Sequence, residues 1–410
     1  MHVHFMGIAG SGMSAAAAIA KAYGFEISGC DLKTGGHDVK HLEGIDILAV
    51  TPAAFFQSAH HPELVEGQKR GIVMTWQEFM GKYLHKDKKI ICIAGAHGKS
   101  TTTALTGLLL ETAGFDPTVE LGAPVPAWKA NFRVGQGKYF VSEADEYYHN
   151  FLNYHPQIII LTMIEMDHPE YFQTFDKILD AYKQFVELLP PDGTLIYNSS
   201  DPGNKKLIKI LRNEVIKIPY SISDFPKNLK LKIPGAHNRE NAAAIIKLGE
   251  YLKIDHELTN HVLTNFDGIG RRLELLGEKR GIHIYDDYAN HPTSYSAALQ
   301  AVKEKYPQSN IWAVIEPHTF SRPKATLPDY PTAFKLAHQV IVSKIYASRE
   351  TDPGDFSGAD IAAATPSSIY IPKFNDIALY LKSHVSSSDI ILIMGSGDSS
   401  KLAHLILKTL

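Results

Sequence analysis

A lysine and four hydroxyl side chains directly follow a glycine turn near residue 95. Residues 90–94 form a short apolar run that predicts a buried strand, and residues 99–110 predict a helix. Backbone N–H groups at such a junction can point at phosphate oxygens. Lys99 would reach the β- and γ-phosphates, and the Ser100 hydroxyl could bind Mg²⁺. The residues assigned to phosphate binding are Gly95, His97, Gly98, Lys99, Ser100 and Thr101.

The match to the general phosphate-loop motif is incomplete, because Ile93 stands where that motif has a glycine. The alternative is a glycine turn between a strand and a helix that binds no ligand. We favour phosphate binding, since the run Gly-Lys-Ser-Thr-Thr-Thr places a cation and four hydroxyls on one helix start.

A second glycine-rich turn lies at the start of the chain. Residues 3–6 and 25–29 predict strands, and residues 15–23 predict the helix between them. Such a βαβ unit binds a nucleotide diphosphate at the helix start and a ribose hydroxyl through an acid, here Asp31. The glycine spacing departs from the dinucleotide fingerprint, so a nucleotide-sugar site is favoured over an NAD site, with a ligand-free domain as the alternative. The predicted substrate-binding residues in this region are Gly7, Gly10, Ser11, Gly12, Met13, Asp31 and Thr51.

Two predicted strands of the central region end in acidic residues. Glu143 follows the strand at residues 139–142, and His168 comes shortly after the strand at residues 158–162. The carboxyl ends of parallel strands meet at one edge of a sheet, near the phosphate loop. Hard oxygen ligands and one imidazole there suit Mg²⁺ bound to phosphate.

Two other polar clusters are predicted to be solvated loops. Asp145 and Glu146 follow Glu143 closely, and a solvated acidic loop is the favoured interpretation for this pair. His60 and His61 precede a proline and could bind a metal, but here too we favour a solvated loop.

Amides and guanidinium groups mark the approach to the last third of the chain. Asn238 and Asn241 lie three residues apart just before a predicted helix at residues 242–252. Their amides could form hydrogen bonds with the edge of an adenine ring, or they could cap the helix. From these two residues alone, helix capping is the favoured interpretation. Arg272 lies in a glycine-containing segment, residues 268–274, that is predicted to be an interdomain hinge.

The last third of the chain predicts another α/β domain with polar groups at its strand ends. Residues 282–285 and 311–315 predict two of its strands. The candidate ligand-binding residues that follow these strands are Asp287, Asn290, His318 and Arg322.

Composition limits the class of protein. The 410 residues predict two or three domains, and a net charge of −3 gives no sign of a nucleic-acid surface. The two cysteines lie in predicted apolar elements, which argues against a disulfide framework and favours a reducing cytoplasm. The chain contains no apolar run of membrane-spanning length, so no membrane span is predicted.

Taken together, these stretches resemble the Mur ligases, the ATP-dependent amide-forming enzymes of peptidoglycan synthesis. The resemblance covers nearly the whole chain and implies an α/β fold of three domains. These are a Rossmann-like UDP-sugar-binding domain at residues 1–87, a P-loop ATP-binding domain at 88–270 and a Rossmann-like C-terminal domain at 271–410. The stretches that carry it, in the family's order, are residues 95–102, 143–146, 165–168, 237–241, 270–272 and 286–293.

The resemblance also implies an activity. Residues 7–14 and 317–322 are similar to the branch that joins L-alanine to the lactyl carboxylate of UDP-N-acetylmuramate, with ATP and Mg²⁺, through an acyl phosphate. The alternatives are the recycling branch, which adds a tripeptide to the same sugar, and a non-catalytic UDP-sugar sensor. Met163 and Asn290 depart from the usual pattern, and a hairpin is missing around residues 222–232, so the acceptor stays open.

Roles for the site residues follow from the resemblance. Ser100, Glu143 and His168 would bind Mg²⁺. The residues expected to contact ATP beyond the phosphate loop are Asn238, Asn241, Arg272 and Asp287. Arg322 would hold the amino acid's carboxylate with help from Asn290 and His318, and the catalytic set would be Lys99, Glu143, His168 and Arg322. Lys183 could be a carbamylated metal ligand, although a plain surface lysine is favoured.

Overall fold

The computed structural model describes residues 1–31, 36–57, 60–211 and 215–410, without the side chains of residues 56 and 57. These residues form two compact units. The first unit comprises residues 1–166, 174–230 and 240–265, and the second comprises residues 167–173, 231–239 and 266–410. The predicted domain boundaries at residues 87 and 270 stay predictions.

The first unit begins with a parallel four-stranded sheet in the order β2-β1-β3-β4. The central position of β1 places the glycine turn that follows it between two neighbouring strand ends, where open α/β sheets bind ligands. Its strands and helices are β1 (His2–Met6), α1 (Ser11–Ala22), β2 (Glu26–Cys30), β3 (Ile47–Val50), α2 (Ala54–Gln57), α3 (Pro62–Arg70), β4 (Val73–Thr75) and α4 (Trp76–Phe79).

The second sheet of the first unit has seven strands in the order β11-β10-β9-β5-β8-β6-β7. All neighbours are parallel except β6 and β7, which form a hairpin that the sequence did not predict. The elements in this part of the chain are β5 (Lys89–Ala94), α5 (Lys99–Thr112), β6 (Thr118–Val125), β7 (Ala130–Arg133), β8 (Tyr139–Glu143), β9 (Ile158–Leu161), α6 (Pro169–Phe172, in the second unit), α7 (Phe175–Val186), β10 (Thr194–Asn198), α8 (Pro202–Ile210), β11 (Ile216–Tyr220), α9 (Ala236–Leu252) and α10 (His256–Asn265).

The second unit contains a six-stranded sheet in the order β12-β13-β17-β14-β15-β16, parallel except for the edge strand β12. Its elements are β12 (Glu274–Lys279), β13 (Ile282–Asp287), α11 (Pro292–Lys305), β14 (Ile311–Glu316), α12 (Ser321–Thr326), α13 (Tyr330–Ala333), β15 (Gln339–Val342), α14 (Gly358–Ala364), β16 (Ser368–Tyr370), α15 (Phe374–His384), β17 (Ile390–Gly395) and α16 (Ser399–Thr409).

Both faces of the six-stranded sheet are buried, which explains why its central strands are continuously apolar. Along β17, Ile390 and Leu392 pack into one core cluster, whereas Ile391 and Ile393 pack into the cluster on the opposite face. Successive side chains of a strand point to opposite faces, so a sheet covered on both sides needs apolar residues at every position. The α/β fold class predicted from these runs is confirmed.

Short helical turns complete the described structure. The 3₁₀ segments are Val39–Leu42, Tyr147–Asn153, Ile222–Asp224 and Leu327–Asp329, and Met80–Leu84 is a π-helical turn. Among the described helices, none combines the length and the apolar character needed to cross a membrane.

Candidate active site

The turn between β5 and α5 is shaped by two glycines. Gly95 has φ +132° and Gly98 has φ +83°, both in the region that favours glycine. A Cβ on Gly95 would lie 2.0 Å from Thr162 Oγ1, and one on Gly98 would lie 2.6 Å from Asn241 Oδ1. Ile93 is fully buried in β5, so the turn starts later than in the general motif. The sequence from 95 to 98 therefore forms a compact turn that leads into a helix N-terminus, as predicted.

Lys99 is the first residue of α5, and its side chain is already held in place. The ammonium donates to Gly95 O at 2.6 Å and to Glu146 Oε2 at 2.9 Å. Burial lowers the pKa of Lys99, but Glu146 and Asp145 outweigh this effect and the pKa is raised above its ordinary value. The lysine is therefore a fixed cation whose side chain is only 14% exposed.

Glu146 corrects the prediction of a solvated acidic loop. It is fully buried and forms the ion pair with Lys99. A buried carboxylate is tolerated where a cation pairs with it. Asp145 is partly buried and accepts a hydrogen bond from Asn150 Nδ2 at 3.3 Å. The pair Asp145–Glu146 thus belongs to the surroundings of the phosphate loop.

Ser100 and Glu143 are in direct contact, and their binding of Mg²⁺ stays a prediction. The Ser100 hydroxyl donates to Glu143 Oε1 at 2.9 Å, and Gly122 N donates to Glu143 Oε2 at 2.8 Å. Thr101, one residue along α5, is buried. The hydroxyl and the carboxylate come from α5 and β8, two elements that meet at the carboxyl edge of the seven-stranded sheet.

Glu120 is a site residue that the sequence interpretation missed. It is 2% exposed, and its Oε2 has no hydrogen-bond partner among the described residues. Burial, followed by the charges of Glu143 and Asp145, raises its pKa well above the ordinary value. An acid within the apolar stretch Thr118–Val125 was the available signal. Buried oxygen ligands of this kind fit a Mg²⁺ ion, which favours carboxylates and hydroxyls.

The phosphate loop also forms hydrogen bonds and an ion pair with residues at and just after the end of β9. His97 pairs with Glu165, and its carbonyl accepts a hydrogen bond from Thr162 Oγ1 at 2.6 Å. Ala96 N donates to Met163 O at 2.9 Å. These contacts fix the loop between two neighbouring strands of the sheet.

The glycine turn after β1 also forms as predicted. Gly7 has φ +87°, and its N–H donates to Cys30 O at 2.8 Å. Asp31 Oδ2 accepts from Ala9 N at 3.3 Å, so the acid lies beside the turn. A Cβ on Gly12 would lie 2.8 Å from the Trp76 ring, which requires a glycine there.

The remaining residues predicted for this site differ in exposure. Helix α1 begins at Ser11 after Gly10, four residues earlier than expected, so the predicted ligands 11–13 lie in its first turn. Met13 is buried, and Thr51 is exposed directly after β3. Their contact with a substrate stays a prediction.

In the second unit, Arg322 forms a buried ion pair. Its Nε and Nη2 lie 2.9 and 2.8 Å from Asp167 Oδ1, and the residue is 4% exposed. Nη1 lies 3.2 Å from His318 Nδ1. Burial and then the Arg322 charge lower the pKa of His318 to about 3, so the imidazole is neutral at physiological pH. Arg322 therefore forms an ion pair with an acid of the protein, as expected for a residue with a structural role. Its binding of a substrate carboxylate stays a prediction.

His168 lies in the same unit as Arg322. Its Nδ1 is 3.4 Å from Glu170 Oε1 and 3.1 Å from Arg349 Nη2. Arg349 and Glu170 also form an ion pair. His168 has positive φ, and α6 begins at the next residue. Its binding of Mg²⁺, at a second ion beside the one assigned to Ser100 and Glu143, stays a prediction.

The residues of the second unit that were predicted to bind the nucleotide or the amino acid contact other groups of the protein. Asp287 accepts from Leu273 N at 2.7 Å and from Ala289 N at 2.8 Å. The Arg272 guanidinium lies over the Tyr288 ring, 4.6 Å from its centroid. Asn290 Nδ2 donates to Ser396 Oγ at 2.9 Å.

The two asparagines of α9 are not helix caps, because α9 begins at Ala236, six residues earlier than predicted. Asn238 lies in the second unit and donates to Pro234 O at 2.7 Å. Asn241 lies in the first unit with its amide beside Gly98. The favoured cap interpretation is therefore wrong, and a nucleotide contact stays a prediction.

Comparisons with known proteins cover the whole chain. Residues 2–87 match the pattern of the Mur ligase family catalytic domain, residues 93–232 match the Mur ligase middle domain, and residues 271–397 match the Mur ligase glutamate ligase domain. A UDP-N-acetylmuramate–L-alanine ligase of Alkaliphilus metalliredigens is 34% identical over 99% of this chain and 97% of its own length. The chain belongs to the Mur ligase family. A ligase of the same name from Caldicellulosiruptor bescii is also 34% identical, over 98% of both chains.

Solved structures of other ligases share the fold of this Mur ligase. The crystal structure of UDP-N-acetylmuramate–alanine ligase from Thermotoga maritima superposes with a TM-score of 0.81 at 24% identity, covering 100% of this chain and 98% of that one. A murein peptide ligase from Psychrobacter arcticus gives 0.69 at 22% identity, with the same coverage. The predicted three-domain α/β architecture of the family is thereby confirmed.

Lys183 of this Mur ligase forms an ion pair within its own helix. Its Nζ lies 3.0 Å from Glu187 Oε1, one turn later in α7. This is an ordinary contact of an exposed helix face. We expect Lys183→Ala to keep turnover within a few-fold of the wild type, with no response to added bicarbonate. Loss of activity in the variant together with bicarbonate dependence of the wild type would indicate a carbamate instead.

Glu316 makes the stability of the second unit depend on pH. It is 3% exposed, and burial raises its pKa to about 7 although Ser399 N donates to it. Because this pKa is above the unfolded value, its contribution to stability is complete below that value and is lost as pH rises through about 7.

Glu316→Gln is therefore expected to unfold at higher urea than the wild type at pH 8, by about 1–3 kcal/mol in unfolding free energy, and to match it near pH 4.5. The exposed Glu278→Gln is the control. Equal stabilities of Glu316→Gln and the wild type at pH 8 would contradict this account.

Proposed function

We propose that this Mur ligase joins L-alanine to the lactyl carboxylate of UDP-N-acetylmuramate, with ATP converting the carboxylate to an acyl phosphate. The observation that carries the proposal is the compact phosphate loop in which Lys99 and the Ser100–Glu143 contact are already in place. The names of the relatives that match along the whole chain support the choice of substrates.

The phosphate loop would bind and neutralise the transferred phosphoryl group. Lys99 supplies a fixed positive charge, and the N–H groups that open α5 supply further donors. Ser100, Glu143 and Glu120 offer oxygen ligands to Mg²⁺. A bound Mg²⁺ would offset charge on the phosphate oxygens. Positioning and charge neutralisation are what phosphoryl transfer requires from a protein.

The first sheet would hold the UDP part of the sugar nucleotide. The turn at Gly7 and the start of α1 form an N-terminal anion site, with Asp31 beside it for a ribose hydroxyl. The amino acid would bind in the second unit. His318 and Arg322 lie beyond the end of β14, where α/β domains bind ligands, and Asn290 follows β13.

A screen of acceptors tests the proposal. The wild-type protein is incubated with ATP, Mg²⁺ and UDP-N-acetylmuramate, and phosphate release is followed with each amino acid and with L-alanyl-γ-D-glutamyl-meso-diaminopimelate. We expect release with L-alanine, and none without the UDP-sugar or without an acceptor. Preference for the tripeptide would favour the recycling reaction. Binding of the UDP-sugar without release under any condition would favour a sensor.

A further inference from the structure

A cluster of metal-binding side chain types lies in the first unit and has no part in the proposed ligation. It joins the first strands to the start of α3. The histidine pair before Pro62, interpreted from sequence as a solvated loop, contributes one member. The cluster consists of His4, Cys30, His37, His41, His61 and Glu63.

Four of these residues each place one potential metal-ligand atom close to the others. The atoms offered by His4, Cys30, His41 and Glu63 all lie within 4.8 Å of one another. His4 Nε2 is 3.2 Å from Cys30 Sγ, and Cys30 Sγ is 3.2 Å from Glu63 Oε2. His41 Nδ1 is 2.7 Å from Glu63 Oε1. Ligand atoms around tetrahedral Zn²⁺ are separated by about 3.4–3.6 Å, so small side-chain shifts would admit the ion.

Glu63 is the most unusual member. It is fully buried, and its contacts are with Cys30, His37, His41 and the N–H of Asp38. Within the part of the chain that the structure describes, no lysine or arginine forms an ion pair with it. A buried carboxylate is costly unless a charge compensates for it, and a divalent cation would do so.

The surroundings orient the first histidine as a metal ligand. His4 Nδ1 lies 2.9 Å from Ser28 Oγ, and Ser28 Oγ lies 2.9 Å from His2 Nε2. A hydrogen bond at one ring nitrogen fixes the imidazole and directs the other nitrogen at the ligand site, which is the usual arrangement of metal-binding histidines. Here the other nitrogen faces Cys30 Sγ.

We propose that His4, Cys30, His41 and Glu63 bind one Zn²⁺ ion. A thiolate with imidazoles and a carboxylate is a donor set for a borderline metal such as zinc, whereas Mg²⁺ prefers oxygen ligands alone. His37 and His61 lie beside the same carboxylate, outside the set of four ligands. All four ligands come from the protein, so the site is structural. It would connect β1 and β2 to α3, and the Cys30 carbonyl in turn holds the glycine turn through Gly7 N.

Metal analysis of the full-length protein, freed of any histidine tag, tests the site. We expect about one zinc per chain in protein made with zinc, and a higher Tm for zinc-loaded than for chelator-treated protein. Cys30→Ser replaces the sulfur with oxygen in a side chain of the same shape, and it should lose most of the zinc and of the Tm increase. His60→Ala is the matched control, because His60 is exposed and next to the cluster without belonging to it.

Cobalt spectroscopy makes the test independent of how the variants fold. Co²⁺ added to metal-free wild-type protein should give a thiolate-to-cobalt charge-transfer band together with tetrahedral d–d bands, and zinc should displace both. Cobalt at the oxygen ligands of Ser100 and Glu143 would give no thiolate band. Absence of the band and of zinc in the wild type would overturn the proposal, as would unchanged zinc content in Cys30→Ser.

Discussion

Replacement of Lys99 with alanine is expected to reduce ATP-dependent turnover by at least about 10²–10³-fold. The ammonium is fixed between Gly95 O and Glu146, at the start of the helix that we propose binds the phosphates. Removal of one preorganised charge contact to a transition state costs about 3–4 kcal/mol or more. Steady-state phosphate release with saturating ATP and UDP-N-acetylmuramate measures the effect.

The same substitution removes the lysine that pairs with the buried Glu146. Its effect on the stability of the protein must therefore be separated from its effect on catalytic turnover. Circular dichroism and the Tm of Lys99→Ala show whether the protein is folded at the assay temperature. Lys89→Ala is the matched control, since Lys89 is exposed at the start of β5, the strand that leads into the phosphate loop. Near-normal turnover in a folded Lys99→Ala protein would contradict the phosphate-loop assignment.

Arg322→Ala is expected to lower the unfolding free energy by about 3–5 kcal/mol, because it removes the guanidinium that pairs with the buried Asp167 carboxylate. Asp167 is 6% exposed, so water cannot easily replace the guanidinium. Urea unfolding measures the loss. Lys324→Ala on the same helix is the control, since its ion pair with Asp355 is exposed and contributes about 0–1 kcal/mol.

The kinetic part of this prediction separates the structural role from substrate binding. Arg322→Lys retains a charge but cannot form two parallel hydrogen bonds with a carboxylate. If Arg322 binds the amino acid, this variant should raise the KM for L-alanine at least about tenfold and leave the KM for ATP within about twofold. An unchanged alanine KM in folded Arg322→Lys would limit Arg322 to its pairing with Asp167.

Local sequence predicts the buried central strands and the turn of the phosphate loop, because their signals need no distant partner. The apolar runs of β5, β14 and β17 reflect burial on both sheet faces. The turn from Gly95 to Gly98 is marked by residue types that the backbone geometry requires. The contact between Ser100 and Glu143 could be predicted since both follow strand ends of one parallel sheet.

Predictions failed where a residue's role depends on what packs against it. Glu146 looks like part of a solvated acidic run, yet Lys99 pairs with it and makes its burial possible. Nothing in the local sequence around Arg322 identifies Asp167, which lies 155 positions earlier. The early start of α9 placed Asn238 inside a helix rather than at its cap.

The metal-binding cluster had the weakest sequence signal. Its six residues are spread over positions 4–63 and follow no regular spacing of metal ligands. The parallel pairing of β1 with β2 places His4 near Cys30, while the 3₁₀ segment Val39–Leu42 and α3 contribute His41 and Glu63.

Isotope transfer tests the central claim most directly. UDP-N-acetylmuramate labelled with ¹⁸O in its lactyl carboxylate is converted with ATP and L-alanine, and the released phosphate is analysed by mass spectrometry. If the carboxylate attacks the γ-phosphate and the amine then displaces phosphate, one ¹⁸O atom appears in each phosphate and the other stays in the amide. Phosphate without ¹⁸O, formed while UDP-N-acetylmuramoyl-L-alanine accumulates, would contradict the acyl-phosphate route.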